Sequence, residues 1–309
     1  RPAHFWQNLE SLYQESLARE QERERLQAAG LDWLKKVPVA AMAKLGWLGL
    51  LVPEVYGGEE MNFVDVSAVI EEMGASALPG PYLTSCVTSA LVLLEAASEK
   101  QKKSLLPDLS SGKKIFTVAW SEKNIAMAPS DILCQANFMD GQYEISGIKN
   151  FVPYAHISDY VIVAARTGVA GEKGDEGISL FLVDRKASGL SIDVVDNSSG
   201  EKYCEMKLNQ VRIPLENLIG ELGKGWDVLE TVFLKCAVAE CAKMVGGCEK
   251  MIKFVTEYAK KRVQFGRPIG SFQAIQHHCA NMKTLLDTSA LITQRACWAI
   301  NSSDDWKKD

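Results

Sequence analysis

The hydrophobic pattern of this chain changes its period twice, and these two changes constrain the fold more than any other feature. Apolar residues recur at helical spacing up to about residue 110, short alternating segments follow from Lys113 onward, and helical spacing returns after Gly223. Short strands that succeed one another without intervening helices favour an antiparallel barrel or sandwich. We therefore predict an α+β multidomain chain with an N-terminal α-helical domain (1–112), a middle antiparallel β-barrel domain (113–218) and a C-terminal helical domain (219–309).

Individual elements can be predicted from the same patterns. Helices are expected near residues 5–26, 37–45, 64–73, 84–97 and 101–109, and two long helices over 228–262 and 272–301. Gly74 is interpreted as the residue that ends the helix over 64–73. Turn signals such as Asp140-Gly141 separate seven expected strands, namely 115–120, 132–138, 142–148, 160–166, 178–183, 190–195 and 204–208.

Composition excludes several classes of partner. The chain has 309 residues, a net charge of −5 and 47% hydrophobic residues, which is enough apolar material for sizeable cores. The net negative charge argues against nucleic acid or an anionic membrane as the main partner. The longest apolar candidate, Leu45 to Pro53, is too short to span a bilayer, so we expect no membrane span.

The cysteines and histidines predict no metal site. None of the eight cysteines forms a CxxC pair, which is typical of buried thiols in a reducing compartment. His277 and His278 are adjacent, and neighbouring helical residues point about 100° apart, so the two rings cannot jointly chelate a metal.

Residues 260–282 contain the most informative local motif. Arg262 closes the first long helix, Gly266 and Pro268 break the chain, and Ser271 is the expected N-cap of the next helix. An Arg-x-x-Phe-Gly corner followed by Gln273 suits an anion next to a flat ring. Arginine supplies a bidentate phosphate clamp and glutamine a two-way hydrogen bond.

This corner resembles the C-terminal-domain signature of the acyl-CoA dehydrogenase family. Other matching blocks occur in family order over nearly the whole chain: Gly46-Trp47-Leu48-Gly49-Leu50, Pro53-Glu54-x-Tyr56-Gly57-Gly58, Glu71-Glu72-Met73-Gly74, Gly147-x-Lys149, Ser158-Asp159-Tyr160 and Gly223-x-Gly225-Trp226. The resemblance implies a C-terminal four-helix bundle, of which this chain supplies about the first half. It also implies FAD as the cofactor.

The resemblance further implies which residues bind the flavin. In relatives, a hydroxyl residue before a Glu bonds the flavin ring, a role that Ser121 can fill, and a Trp-x-Thr segment packs on the ring. Here that segment is Phe151-Val152-Pro153, so the hydroxyl of the threonine is missing. The corner binds the pyrophosphate and ADP part of an FAD held mainly by a neighbouring subunit, which points to Arg262, Phe265, Gln273 and His277 and to a homo-oligomer, a dimer or dimer of dimers.

The catalytic base is not identified. The commonest family base is a glutamate late in the C-terminal domain, expected here beyond Asp309. A minority of relatives carry the base on the long helix, at the position that corresponds to Cys236, and a neutral thiol is a poor base. Glu240 lies one turn further on roughly the same face and is a remote alternative.

The implied activity is α,β-dehydrogenation of an acyl-CoA to a trans-2-enoyl-CoA, with electrons passed to an electron-transferring flavoprotein. Two alternatives remain open: a base-less, non-catalytic subunit of a heteromeric acyl-CoA dehydrogenase, and a flavin oxidase or monooxygenase on the same fold. The expected compartment is the bacterial cytoplasm, or else the mitochondrial matrix. Chain length and branching of the substrate cannot be predicted from the sequence.

Overall fold

The computed structural model describes residues 39–123, 128–168, 176–198 and 200–302. The helix expected near residues 5–26 lies outside these ranges. The α-helices are α1 (Val39–Lys44), α2 (Phe63–Ala75), α3 (Ala90–Ala96), α4 (Glu99–Ser110), α5 (Gly225–Lys261) and α6 (Gln273–Ser302). A π-helix, Tyr82–Ser89, runs directly into α3.

Side-chain caps fix the starts of two N-terminal helices. The Asn62 side chain accepts hydrogen bonds from the backbone N–H groups of Val64 and Asp65, at 2.9 and 3.1 Å, at the start of α2. Ser98 and Gln101 form a reciprocal capping box at the start of α4. Such caps satisfy N–H groups that have no partner inside the helix.

Helices α2 and α5 approach each other at two glycines. A Cβ atom on Gly246 would stand 1.8 Å from the carbonyl oxygen of Glu71, and one on Gly74 would stand 2.0 Å from that of Lys243. The interpretation of Gly74 as a helix-ending residue was therefore wrong, because α2 continues to Ala75. Gly74 is required by the close backbone approach of α5.

The expected helix over 84–97 is divided between two helix types. Its first part is the wider π-helix, in which side chains bond backward across five residues. The Thr88 hydroxyl donates to Leu83 O at 3.0 Å, and the Ser89 hydroxyl donates to Thr84 O at 2.9 Å. Hydrophobic periodicity does not reveal such a change of pitch, and π-helical segments frequently occur at functional sites.

The middle of the chain forms one sheet of eight strands. The strands are β1 (Phe116–Ala119), β2 (Gln135–Met139), β3 (Gln142–Pro153), β4 (Tyr160–Arg166), β5 (Ile178–Asp184), β6 (Leu190–Val195), β7 (Tyr203–Pro214) and β8 (Leu218–Ile219). Paired strands follow the order β6-β7-β3-β2-β4-β5-β8, and β1 pairs with β4. This sheet domain between two helical parts confirms the predicted fold class.

Two pairings in the sheet are parallel and were not expected. β1 runs parallel to β4, with Phe116 opposite Tyr160, and β2 meets β4 at the single parallel pair of Gln135 with Arg166. The other strand pairings of the sheet are antiparallel. A parallel pair needs a long connection, and the β2–β3 hairpin supplies one between β1 and β4. The interior of the sheet is apolar, with the Tyr143 and Phe181 ring centroids 4.9 Å apart.

A two-residue hairpin joins the two long C-terminal helices. Strands β9 (Val263–Gln264) and β10 (Arg267–Pro268) pair antiparallel around Phe265 and Gly266, which have φ angles of 54° and 76°. Positive φ at both central residues is the geometry of a type I′ hairpin turn. Ser271 lies in a 3-10 turn, and its hydroxyl donates to Pro268 O at 2.7 Å.

Candidate active site

Two segments expected to face a flavin are joined through their backbones. Asn150 N donates to Ser121 O at 2.9 Å. Next to this bond, the Lys149 ammonium lies 2.7 Å from the Glu122 carboxylate and donates to Trp120 O at 3.2 Å. The same carboxylate accepts hydrogen bonds from the backbone N–H groups of Leu133 and Cys134. The loop that carries Ser121 is thus held against β3 by a buried charge pair and two hydrogen bonds, and two further hydrogen bonds tie Glu122 to the backbone of Leu133 and Cys134.

Phe151 lies on an irregularity of β3. The register of β3 against β7 shifts between Lys149 and Val152, and Phe151 has a φ of 54° and is 49% exposed. A left-handed backbone is costly for a bulky residue and is found where surrounding structure enforces it. Pro153 O accepts a hydrogen bond from the Thr117 hydroxyl at 2.7 Å. The bulge therefore leaves the Phe151 ring half exposed, one residue along β3 from the backbone hydrogen bond between Asn150 and Ser121.

A cavity of about 450 Å³ begins directly after this segment. Pro153 and Tyr154 of the sheet domain line it, together with α2, the π-helix and α5. Its apolar wall is formed by Ile70, Met73, Leu78 and Leu83, and its polar groups include Tyr154, Glu201, Tyr203, Glu240 and Lys243. A volume of this size is typical of small-molecule sites.

A hydrogen-bonded network connects three of the polar groups. The Tyr154 hydroxyl donates to Glu201 Oε2 and accepts from Gly80 N at 3.3 Å. The ammonium of Lys243 lies 3.4 Å from Glu201 Oε1. Burial and the bond to Glu201 raise the pKa of the Tyr154 hydroxyl, so Tyr154 remains a neutral hydrogen-bond donor.

Cys236 and Glu240 occupy one face of α5 near this cavity. The Cys236 sulfur lies 3.2 Å from the Thr88 hydroxyl of the π-helix, and burial raises the pKa of this thiol from its usual 9.0 to about 11. Cys236 is therefore a neutral thiol at physiological pH. Glu240 lines the cavity and forms no hydrogen bond or ion pair with another residue in the ranges that the structure describes.

The predicted nucleotide corner lies at the far end of α5. Arg262, Phe265, Gln273 and His277 are all exposed, and Phe265 is 91% exposed. The guanidinium of Arg267 covers the Phe272 ring at 4.2 Å, and the Phe265 and Phe272 rings meet edge to face at 6.1 Å. The corner thus offers a cation and an open aromatic face.

The corner and the cavity are well separated along one chain. Glu240 lies within α5 and Arg262 directly follows its last residue. At 1.5 Å per residue, the two lie roughly 33 Å apart along the helix axis. The structure therefore brings Ser121 and Phe151 together at one place and the corner residues together at another.

Several site residues were missed by sequence reasoning. Tyr154, Glu201, Tyr203 and Lys243 come from three segments, so no local spacing connects them. Lys149 was noted as part of a motif, and a lysine within an apolar strand is a signal for a buried partner, but its pairing with Glu122 depends on the tertiary fold.

No cluster of three or more metal-ligating side chains occurs in the described ranges. Within the same ranges, no helix is both long and apolar enough to cross a bilayer.

Three family models match the chain in succession. They are the acyl-CoA dehydrogenase N-terminal domain at residues 4–113, the middle domain at 117–211 and the C-terminal domain at 223–307. A 3-(aryl)acrylate reductase of Clostridium sporogenes is 30% identical, with 88% of this chain and 73% of the relative covered. An L-prolyl-[peptidyl-carrier protein] dehydrogenase of Pseudomonas fluorescens is 29% identical, with 86% and 71% covered.

Solved structures show the same fold. A glutaryl-coenzyme A dehydrogenase in complex with glutaryl-CoA has a TM-score of 0.79 and 27% identity, with 84% of this chain and 67% of that chain covered. The structure of PigA with FAD and proline has a TM-score of 0.79 and 27% identity, with 85% and 70% covered. The chain belongs to the acyl-CoA dehydrogenase family. It is a flavoprotein oxidoreductase of that family, and its cofactor is FAD.

The described residues fit a flavin, with one difference from the family pattern. An outward aromatic ring at Phe151, a partly exposed Ser121 whose carbonyl is fixed by Asn150, and the adjoining cavity match what a flat ring with polar edges requires. Pro153 has no hydroxyl and no N–H, so it cannot replace the hydrogen bond that a threonine would supply.

Proposed function

We propose that this protein oxidises an acyl thioester between its α and β carbons and releases a trans-2-enoyl-CoA. The cavity that opens directly beyond Phe151 carries this proposal, because it places room for an acyl group next to the segment suited to a flavin. Bound FAD would supply the acceptor for a hydride from Cβ, and a base of the protein would remove the proton from Cα.

Ser121 and Phe151 hold and cover the flavin ring in this proposal. The hydrogen bond from Asn150 N to Ser121 O fixes the backbone of Ser121, and in this proposal its hydroxyl bonds a polar edge of the ring. The apolar wall of the cavity excludes water around the acyl group, which strengthens hydrogen bonds to a polarised thioester carbonyl. Cys236 takes no part in proton removal, since its raised pKa keeps it protonated.

We propose that the base is a carboxylate from beyond Asp309, in the part of the relatives' length that this chain does not span. Glu240 is the alternative base in the described part of the chain, and the experiments below separate the two assignments. For binding the ADP part of FAD we propose Arg262, Phe265, Gln273 and His277.

The separation of corner and cavity supports a homo-oligomer, a dimer or a dimer of dimers. The corner lies roughly 33 Å along α5 from Glu240. It is therefore better placed to bind the FAD of a neighbouring subunit than the flavin that its own chain would hold beside Phe151. An electron-transferring flavoprotein would be the electron acceptor in this proposal. We place the protein in the bacterial cytoplasm, with the mitochondrial matrix as the alternative, since an isovaleryl-CoA dehydrogenase of Solanum tuberosum, 29% identical, is named as mitochondrial.

One alternative has a specific observation in its favour. Cys236 and Pro153 both lack the groups that the reaction uses, which fits a non-catalytic subunit of a heteromeric dehydrogenase that binds FAD at an interface. The ChsE4-ChsE5 complex of Mycobacterium tuberculosis, at 25% identity and a TM-score of 0.76, is a relative solved as a complex of two different chains.

Anaerobic titration of the full-length, FAD-loaded protein with acyl-CoA thioesters tests the proposal. Loss of the visible absorbance of oxidised flavin, with recovery on adding an electron-transferring flavoprotein, is the expected result. Flavin that no thioester reduces would contradict it and favour the non-catalytic subunit. Rapid reoxidation by air with formation of peroxide would instead indicate an oxidase.

A further inference from the structure

The cavity beyond Phe151 is poorly suited to a plain hydrocarbon chain. Two carboxylates, one ammonium and the hydroxyls of Tyr154 and Tyr203 share it with the apolar wall. A saturated acyl chain that filled this space would displace water from these groups and return no hydrogen bond. Polar groups that lose water without a replacement partner oppose binding.

The charges of the cavity do not cancel. Glu201 is engaged by Lys243 at 3.4 Å and by the Tyr154 hydroxyl, so this carboxylate is already compensated. Glu240 is an exposed carboxylate that lines the cavity and has no hydrogen bond or ion pair to the described residues, so the lining groups carry one negative charge in excess. Burial, and after it the charges of Glu201 and Glu240, raise the pKa of the Tyr203 hydroxyl, and all three residues line the same cavity.

We propose that the acyl group bound in this cavity carries a hydrogen-bond donor, a hydroxyl or an ammonium group, which Glu240 accepts. The inference rests on the proposed function, because it assigns the cavity to the acyl part of the thioester. Glu240 is then a specificity residue and not the base. An acyl group that ends in a carboxylate is disfavoured, since it would bring a third negative charge beside Glu201 and Glu240.

The test compares thioesters of matched length on the full-length holoprotein. Hexanoyl-CoA, ω-hydroxyhexanoyl-CoA, ω-aminohexanoyl-CoA and adipoyl-CoA, with shorter and longer homologues of each, are measured by calorimetric binding and by anaerobic flavin bleaching. At the best chain length we expect the hydroxyl or ammonium thioester to bind at least about tenfold more tightly than the hydrocarbon, which corresponds to about 1.4 kcal/mol. The carboxylate thioester is expected to bind most weakly.

Variants of Glu240 distinguish the two donors. Glu240→Gln keeps an oxygen acceptor without the charge, so a preference for hydroxyl survives and a preference for ammonium is lost. Glu240→Leu removes both preferences and improves binding of the hydrocarbon. Glu249→Gln is the matched control, because Glu249 is exposed on the same helix and forms a surface ion pair with Lys253. It is expected to leave all four affinities unchanged.

Three results would overturn the inference. The hydrocarbon or the carboxylate thioester could bind as tightly as the donors at every length, or no thioester could bind. Alternatively, Glu240→Gln could abolish bleaching by every thioester while leaving binding intact, which would make Glu240 the base. Failure of the proposed function is seen separately, as a preference for donor thioesters in binding without any bleaching of the flavin.

Discussion

Lys149 and Glu122 form an ion pair inside the sheet domain, with 2.7 Å between Lys149 Nζ and Glu122 Oε1 and side-chain exposures of 0% and 9%. The pair fastens the loop of Ser121 to the strand of Phe151, because Lys149 also donates to Trp120 O. Breaking a buried pair leaves an uncompensated charge, whereas removing both charges costs much less. The pair therefore connects protein stability with the geometry of the proposed flavin site.

Lys149→Met is expected to lower the free energy of unfolding by about 3–5 kcal/mol and to weaken FAD retention. The double variant Lys149→Met/Glu122→Gln should recover part of this loss, because the isolated charge is gone. The recovery is only partial, because a glutamine has one amide oxygen and can keep only one of the two backbone hydrogen bonds that the carboxylate accepts from Leu133 and Cys134. Chemical denaturation and fluorescence of released FAD measure the two effects.

The control for this prediction is Lys253→Met, which breaks an exposed ion pair with Glu249 and should cost at most about 0.5 kcal/mol. Equal losses in Lys149→Met and Lys253→Met would show that the buried pair has no special role. Unchanged FAD retention in a folded Lys149→Met protein would separate the pair from the flavin site.

Gly246→Ala should strongly destabilise the protein, since its Cβ would stand 1.8 Å from the Glu71 carbonyl oxygen and would push α2 and α5 apart. Gly247→Ala is an ideal control, because a Cβ there has an ordinary contact distance of 3.7 Å to Gly74 O. In a helix, alanine is favoured over glycine by about 0.5–1 kcal/mol, so Gly247→Ala should be neutral or stabilising. Thermal unfolding should show a lower melting temperature for Gly246→Ala and an unchanged or higher one for Gly247→Ala. Shifts in melting temperature of the same sign and size would contradict the close contact between the helices.

How far the sequence predicts this structure depends on whether the signal is local. The strand over 160–166 follows from a short apolar segment and the start of the strand at Gln142 from the Asp140-Gly141 turn, and the structure has both. The π-helical pitch of Tyr82–Ser89 has no periodic signature of its own, and the role of Gly74 depends on a helix that lies more than 150 residues later in the chain.

The residues of the candidate site also differ in whether a local sequence signal predicts them. Ser121, Phe151 and the corner residues belong to short motifs that can be recognised from a family resemblance. The cavity network of Tyr154, Glu201 and Lys243 joins three distant segments, and its partners become neighbours only through the packing of β3, the Glu201 loop and α5. Its charge balance could not be predicted from residue spacing.

Cys236 should resist alkylation at neutral pH, because burial raises the pKa of its thiol to about 11. Only the thiolate reacts, so labelling of the native protein should be confined to accessible cysteines such as Cys248, which is exposed. Mass spectrometry of peptides after brief treatment with iodoacetamide compares the two sites. Rapid labelling of Cys236 in the folded protein would contradict a half-buried, neutral thiol.

The same shift determines how Cys236 affects stability at alkaline pH. Its folded pKa is raised above the ordinary 9.0, so the neutral thiol contributes stability fully below pH 9, and this contribution is lost as pH rises from about 9 toward about 11. Cys236→Ser and Cys236→Ala should each unfold with a weaker dependence on pH in that range than the parent protein. A parallel pH dependence in all three proteins would contradict the assignment.

Phe151 should contribute to flavin binding and little to stability. Its φ of 54° is unfavourable for a bulky residue, so Phe151→Gly removes backbone strain of roughly 1 kcal/mol, while the half-exposed ring contributes little to the core. The loss of the ring should weaken FAD binding by about tenfold, since an aromatic contact contributes about 0.5–1.5 kcal/mol beyond its buried area. Phe151→Asn is a second test of the same kind, because asparagine tolerates the left-handed region but offers no aromatic face. Denaturation of the apoprotein and equilibrium titration with FAD would measure the two quantities separately.

Both variants should retain the stability of the parent and lose affinity for FAD. A loss of stability without a loss of affinity would show that Phe151 is a packing residue.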